Sequence, residues 1–213
     1  MSSATARTRL TPRKRRSVVR RRRIVLGLVL ALIAGLGIAV AAGLGPLNDA
    51  VREAFTLPLR HEDIIRQQAR DKDLDPALIA AIIYEESKFR DQTSHAGARG
   101  LMQITPATAD FIARDSGGTR FTQEDLATPQ INISYGAYYL RYLMRRYDGN
   151  DVLAVAAYNA GETRVNEWIA RAGGPDSFDA AKHVPFPETR HYVRNVLARQ
   201  GDYRSEYSRE LGL

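Results

Sequence analysis

The pattern of apolar and polar positions predicts helices throughout residues 63–205. Apolar residues recur at helical spacing, and no run shows the two-residue alternation of a strand. An acid or a threonine followed by proline, which is typical of a helix start, occurs at Asp75, Thr105 and Thr128. The predicted helices cover residues 61–72, 75–87, a segment from 105, 128–147, 151–161 with Asp151 as its cap, 163–172 and about 188–199. We therefore expect an all-α fold with one domain over 63–205.

A different pattern precedes this domain. Residues 24–47 carry no charge over 24 positions, and about 20 apolar residues are enough to cross the hydrocarbon core of a bilayer. We predict one N-terminal transmembrane helix, a signal anchor, over 24–47 and a juxtamembrane linker over 48–62. A signal peptide cleaved near Ala39–Ala42 and a buried core helix are the alternatives.

Charge is distributed unevenly along the chain. The net charge is +7, yet residues 1–23 hold ten Lys or Arg and no acid, whereas 24–213 hold 21 basic and 24 acidic residues. Positive residues stay on the cytoplasmic side of a membrane. We therefore predict a basic cytoplasmic tail over 1–23, a single pass, and a helical domain on the extracytoplasmic (periplasmic or wall) side of the cell membrane. Topology explains the basic run better than a nucleic-acid or lipid patch does, so no nucleic-acid partner is expected.

Two adjacent glutamates end an apolar run. Glu85 and Glu86 follow five largely apolar residues and Tyr84, and helical periodicity puts either acid at the edge of the buried stripe. Neighbours on a helix diverge by about 100°, so one of the two is expected to face a cleft. A carboxyl group in apolar surroundings has a raised pKa, which suits it to donate a proton near neutrality. The alternative is a pair of solvated acids at a helix C-terminus.

Two further segments carry polar groups beside apolar ones. Gly97 and Gly100 permit turns just before Gln103, whose amide can both donate to and accept from an acetamido group. Tyr158 and Asn159 end an apolar helix, where both can reach a cleft. The alternative for the first segment is a pair of loop glycines with a hydrophobic plug. The alternative for the second is that Tyr158 and Asn159 are local helix-capping groups.

Together these segments resemble the lytic transglycosylases of the soluble type. The matching blocks are Glu86-Ser87, Ser94 to Pro106, Asn132-Ile133 with Gly136 and Tyr139-Leu140, Ala157 to Gly161, and Pro185 to Val193. All five occur in the family's order and cover about residues 70–200. The resemblance implies a single lysozyme-like catalytic domain, similar to goose lysozyme.

The resemblance also implies a role for each site residue. Glu86, which precedes the serine, is the expected catalytic acid, and Glu85 is a neighbour that perturbs its titration. The expected substrate-binding residues are Ser94, which orients the reacting sugar, Gln103, which contacts the glycan, Tyr158 and Asn159, which line the cleavage point, and Glu188, which assists binding. Thr105 departs from the pattern, since some members have methionine against the sugar.

An enzyme of this kind cleaves the β-1,4 bond between N-acetylmuramic acid and N-acetylglucosamine in peptidoglycan and leaves a 1,6-anhydromuramyl end. No metal or organic cofactor is expected; the chain has no cysteine, and its four histidines lack metal-ligand spacing. Three alternatives remain open. They are a goose-type hydrolase in which water attacks, a non-catalytic peptidoglycan-binding module, and a scaffold in a cell-wall synthesis or secretion complex.

Overall fold

The computed structural model describes residues 27–35, 37, 57–117 and 122–213. The chain divides into two units, Met1–Thr56 and Leu57–Leu213. Within the first unit, residues 27–35 and 37 are helical and exposed, and the rest of the predicted transmembrane segment lies outside the described residues. None of the helices in the described ranges has the length and apolar character that a membrane crossing requires.

The second unit is built from helices. In chain order they are α1 (Glu62–Lys72), α2 (Pro76–Ser87), α3 (Pro106–Asp115), α4 (Pro129–Arg146), α5 (Asp151–Ala160), α6 (Glu162–Ala172), α7 (Ala180–His183), α8 (Pro187–Glu206) and α9 (Ser208–Leu211), with 3₁₀ turns at Gln123–Ala127 and Pro175–Ser177. Extended pairing in the described part is limited to two isolated bridges in the loop after α2. The predicted all-α fold is confirmed.

Side-chain caps account for several helix starts. Asp75 accepts a hydrogen bond from the Ala77 amide at 2.9 Å, and Thr105 accepts one from the Thr108 amide at 3.1 Å. Both cap a helix whose first residue is proline, as the sequence predicts. The predicted cap of α5 is wrong by one residue. Asn150, not Asp151, accepts from the Leu153 amide at 3.1 Å, because a cap must precede the first helical residue.

Helix α2 is the centre of the core. Every residue from Ala77 to Ile83 is buried, and a helix that is apolar on all sides must be surrounded. Helix α8 packs along α2 and also contacts α5, while α1 covers another side of α2. Helix α8 reaches Glu206, well beyond the predicted end near residue 199, because Tyr203 packs fully buried on Tyr84 and Phe89. The C-terminal end of α2 is thus enclosed by elements from the far end of the sequence.

Candidate active site

Glu86 lies in the last turn of α2 and is half-buried. The Tyr192 hydroxyl of α8 donates a hydrogen bond to its Oε1 at 2.6 Å. Burial raises the pKa of Glu86 from 4.5 to about 7, the Tyr192 hydrogen bond opposes this rise, and the negative charge of Glu85 adds to it. A carboxyl group with a pKa near 7 is populated in both its acid and its base form at neutral pH.

Glu85 has different surroundings from its neighbour. Its Oε1 lies 3.7 Å from Lys88 Nζ and 3.7 Å from Arg199 Nε. Both cations also lie over the Tyr84 ring, at 3.8 and 4.9 Å from its centroid. The structure therefore separates two acids that periodicity alone left equivalent, because one is ion-paired and the other meets a neutral hydroxyl.

Gln103 stands in the loop that follows α2, in a left-handed backbone conformation with φ of 48°. Its amide nitrogen donates to the carbonyl of Gly100 at 2.8 Å and to that of Gln92 at 3.1 Å. Gln92 in turn donates to the backbone carbonyl of Glu86 at 3.2 Å. Within the described residues the Gln103 nitrogen is thus committed to the protein and its oxygen is not. In this conformation the Gln103 side chain can offer a sugar an acceptor, and its contact with the glycan stays a prediction.

The loop that carries Gln103 is held on α4 by Asn132, which is buried. Its Oδ1 accepts from the Met102 amide at 2.8 Å, and its Nδ2 donates to the carbonyls of Arg99 and Leu126 at 2.9 and 3.0 Å. A Cβ on Gly100 would stand 2.1 Å from Asn132 Nδ2, and one on Gly136 would stand 2.3 Å from Met102 Sδ. These two positions need glycine because loop and helix are in direct contact.

Tyr158 and Asn159 lie in the last turn of α5, where Tyr158 contacts the loop that carries Gln103 and Asn159 contacts α8. The Tyr158 hydroxyl donates to the Met102 carbonyl at 3.0 Å, and burial together with the Glu86 charge raises its pKa well above the ordinary value. Asn159 is exposed, and its Oδ1 accepts from the Thr189 hydroxyl of α8 at 2.7 Å. Tyr158 is therefore close enough to Glu86 to respond to its charge.

Ser94 and Glu188 lie further from this network. The Ser94 Oγ accepts from the Ala98 amide at 3.0 Å and closes the turn that contains Gly97. Glu188 is exposed in the first turn of α8, one residue before Thr189. The structure therefore brings Glu86, Gln103 and Tyr158 into one connected group and joins Asn159 to it through α8. It links neither Ser94 nor Glu188 to Glu86 by a direct contact.

The sequence of this site and of the surrounding helices matches a known family. The profile described as Transglycosylase SLT domain covers residues 63–180, which is more than half of the chain. The chain belongs to this family.

The relatives that this chain matches are considerably longer than the chain itself. The soluble lytic murein transglycosylase of Salmonella typhimurium is 37% identical over 168 residues, which are 75% of this chain and 25% of that protein. The membrane-bound lytic murein transglycosylase F of Cellvibrio japonicus is 34% identical over 145 residues, 62% of this chain and 28% of that one. The crystal structure of the 70 kDa soluble lytic transglycosylase of Escherichia coli superimposes with a TM-score of 0.68 at 33% identity, over 81% of this chain and 28% of that chain. The chain spans about a quarter of the length of such relatives, and its lysozyme-like fold is confirmed.

Two residues of this SLT-domain site were not predicted from the sequence. Tyr192 and Asn132 lie within the blocks that carry the family resemblance, yet neither was assigned a role. The sequence does carry a signal for Tyr192, because Thr189, Tyr192, Val193 and Val196 recur at helical spacing. The structure buries all four residues. Nothing in that spacing shows that the hydroxyl meets Glu86, which is 106 residues away.

The described residues contain no group of three or more His, Cys, Asp or Glu side chains able to hold a metal ion. His183 accepts a hydrogen bond from the Asp179 amide through Nδ1 at 2.9 Å. That no metal or organic cofactor takes part stays a prediction.

Proposed function

We propose that the chain is a peptidoglycan lytic transglycosylase that cleaves the β-1,4 bond between N-acetylmuramic acid and N-acetylglucosamine. The observation that carries the proposal is Glu86, half-buried, with a pKa raised to about 7 and a hydrogen bond from Tyr192. Within the described residues, the one other carboxylate that acts on its pKa is Glu85, which is ion-paired. Most glycosidases use two opposed carboxylates, so a site with one free acid favours a reaction in which a single residue acts twice.

In the first step, protonated Glu86 gives its proton to the glycosidic oxygen, and the bond between that oxygen and the muramyl C1 breaks. The leaving group is the 4-hydroxyl of N-acetylglucosamine. The acetamido oxygen of the muramyl residue stabilises the electron-poor C1. The raised pKa serves this step because it keeps a large fraction of Glu86 protonated near neutral pH.

In the second step, the C6 hydroxyl of the same muramyl residue attacks C1, and the ionised Glu86 removes its proton. A bond between C1 and O6 forms, the acid form of Glu86 is regenerated, and no water is consumed. A nucleophile tethered to the reacting ring has a high effective concentration, which favours it over water. The Tyr192 hydroxyl stabilises the ionised Glu86 between the two steps.

The other predicted residues are proposed to bind the glycan around this point. Gln103 offers its amide oxygen to a sugar donor group, since its nitrogen is held by the loop. Tyr158 and Asn159 border the cleavage point, Ser94 orients the reacting sugar, and Glu188 assists binding from the first turn of α8. The names of the soluble and membrane-bound relatives support this assignment of substrate.

The chain is further proposed to act at the cell membrane from the extracytoplasmic side. The proposed organisation is a cytoplasmic tail over 1–23, a single-pass anchor over 24–47, a linker over 48–62 and the catalytic domain over 63–205. The uncharged run and the ten flanking basic residues support it. Protease treatment of a C-terminal tag, with the protease applied to either side of the cell membrane, tests the topology. The tag should be digested from the extracytoplasmic side, and digestion only from the cytoplasmic side would contradict the proposal.

Product analysis tests the chemistry. Purified peptidoglycan is digested with the chain, and the released fragments are separated and weighed by mass spectrometry. We expect 1,6-anhydromuramyl ends, which are lighter by one water than the reducing ends that a hydrolase leaves. Reducing ends would instead identify a goose-type hydrolase, and binding without any release would identify a non-catalytic module.

A further inference from the structure

Phe186 is an exposed aromatic residue at the start of α8. Of the large apolar side chains in the described residues from 57 onwards, Phe186 and the C-terminal Leu213 are the exposed ones, each at 47%. A single exposed apolar side chain needs no explanation by itself. The surroundings of this ring are what give it significance.

The ring of Phe186 is held in place on one helix. Trp168 of α6 lies 5.9 Å from it between ring centroids, and the Arg164 guanidinium lies 5.5 Å from its centroid. Proline stands on both sides, at 185 and 187, which restricts the backbone. The exposed part of the ring is therefore presented in a fixed orientation, so a ligand that covers it pays little conformational entropy.

Phe186 precedes, on the same helix, two residues that contact the proposed catalytic group. Three residues further on, Thr189 binds Asn159, and three residues beyond that Tyr192 binds Glu86. Six residues of helix correspond to about 9 Å along the axis. Phe186 is thus displaced along α8 from the residue that binds Glu86, so we expect its ring to meet a different sugar from the one that Glu86 protonates.

The neighbouring charge suggests which sugar this is. Arg164 is exposed and forms no salt bridge with the described residues. An aromatic face attracts the apolar C–H face of a pyranose ring, and an adjacent guanidinium attracts a carboxylate. N-acetylmuramic acid offers both groups, because its lactyl substituent carries a carboxylate or an acidic peptide, whereas N-acetylglucosamine offers the C–H face alone.

We propose that Phe186 and Arg164 form a distal subsite for an N-acetylmuramyl residue of the glycan strand. This inference rests on the proposed function and adds a specificity element to it. Phe186 supplies affinity for any stacked sugar, and Arg164 supplies the preference for the acidic one. Neither residue contacts the bond that is broken.

The test measures binding in the Glu86→Gln background, where turnover is expected to be slower by about 10³-fold or more. Calorimetry gives the dissociation constants of a muramyl-containing glycan and of an N-acetylglucosamine oligomer of equal length. We expect Phe186→Ala to weaken both about tenfold and Phe186→Tyr to restore them, because the stacking face returns. Arg164→Gln is expected to weaken the muramyl glycan about fivefold and to leave the other unchanged. Arg171→Gln, an exposed arginine on the same helix paired with Glu167, is the matched control.

Trp168, the only tryptophan in the chain, reports on the location of binding. Its fluorescence is expected to change when the glycan binds, because its ring contacts Phe186. If Phe186→Ala unfolds at lower temperature, Phe186→Leu keeps apolar volume against Trp168 and takes its place, and it should bind more weakly than Phe186→Tyr.

Equal binding by the parent and the Phe186 variants would overturn the subsite. If the wild-type chain releases anhydro ends while the binding series is flat, the subsite alone fails. If the binding series is as expected but the wild-type chain releases nothing from peptidoglycan, the proposed function fails and the subsite stands.

Discussion

The two sides of the last turn of α2 hold the same functional group in opposite settings. On one side Glu85 lies between Lys88 and Arg199. On the other side Glu86 is half-buried against Tyr192 and near Tyr158, and none of the described residues places a cation on it. A cation favours the charged form of a carboxyl group, whereas burial disfavours it. Adjacent glutamates therefore differ in their chemistry because different side chains of α8 reach them, Arg199 at Glu85 and Tyr192 at Glu86.

The largest effect should follow removal of the titrating group itself. Glu86→Gln keeps the shape of the side chain but removes the proton donor and acceptor. We expect the rate of peptidoglycan solubilisation to fall by about 10³-fold or more, since general acid–base catalysis contributes 10²–10⁴-fold. Release of soluble fragments measures it, and turnover similar to wild type would refute the assignment of Glu86.

A second effect appears in stability, with a sign set by the raised pKa. Between pH 4.5 and about 7 the folded chain holds a proton on Glu86 that the unfolded chain has lost. Stability from this group is therefore complete below pH 4.5 and is lost as the pH rises through 7. Wild type should lose up to about 3 kcal/mol of unfolding free energy relative to Glu86→Gln over this range. Urea unfolding of both proteins at pH 4.5 and pH 8 measures the difference. An equal change in unfolding free energy for wild type and Glu86→Gln would contradict the prediction.

Tyr192→Phe should have an intermediate effect. It keeps the buried ring but removes the hydrogen bond that favours ionised Glu86, so the pKa of Glu86 should rise. We expect activity to fall about tenfold, as for a lost bond to a charged group, and the alkaline limb of the pH–rate profile to move to higher pH. A profile that is lower but unshifted would show that Tyr192 supports only the packing.

The smallest effect should come from the other side of the turn. Glu85→Gln removes a negative charge beside Glu86 together with two partly exposed ion pairs, each worth about 0–1 kcal/mol. We expect activity within about threefold of wild type and an alkaline limb shifted to lower pH. Arg199→Gln leaves Glu85 less neutralised and should shift the limb in the opposite direction. Shifts of the same sign in both variants would contradict the electrostatic comparison.

Local signals along the chain were sufficient for several helix starts and for the family. The caps at Asp75 and Thr105, with the prolines after them, placed two helix starts correctly. The ordered motif blocks pointed to the SLT domain that the profile match then showed. These features depend on residues a few positions apart, so they can be recognised without a fold.

Other features depended on contacts between distant segments. Gln103 could be proposed as a glycan contact from its motif, but only the loop geometry shows that its nitrogen is already bonded. From the sequence, Asn132 is an ordinary helical residue. Only the structure shows that its side chain holds the loop through Arg99 and Met102. The extent of α8 likewise followed from the burial of Tyr203 against α2, not from local propensity.

Local sequence motifs were thus enough to predict several helix starts, the family of the chain and a functional role for one of the two glutamates. The motif resemblance also selected Glu86, but the physical difference between Glu85 and Glu86 arises only in the folded molecule. Helix α8 brings Arg199 to one acid and Tyr192 to the other, more than 100 residues further along the chain. A pKa depends on burial and on nearby charges, and for these residues both arise only when the helices pack.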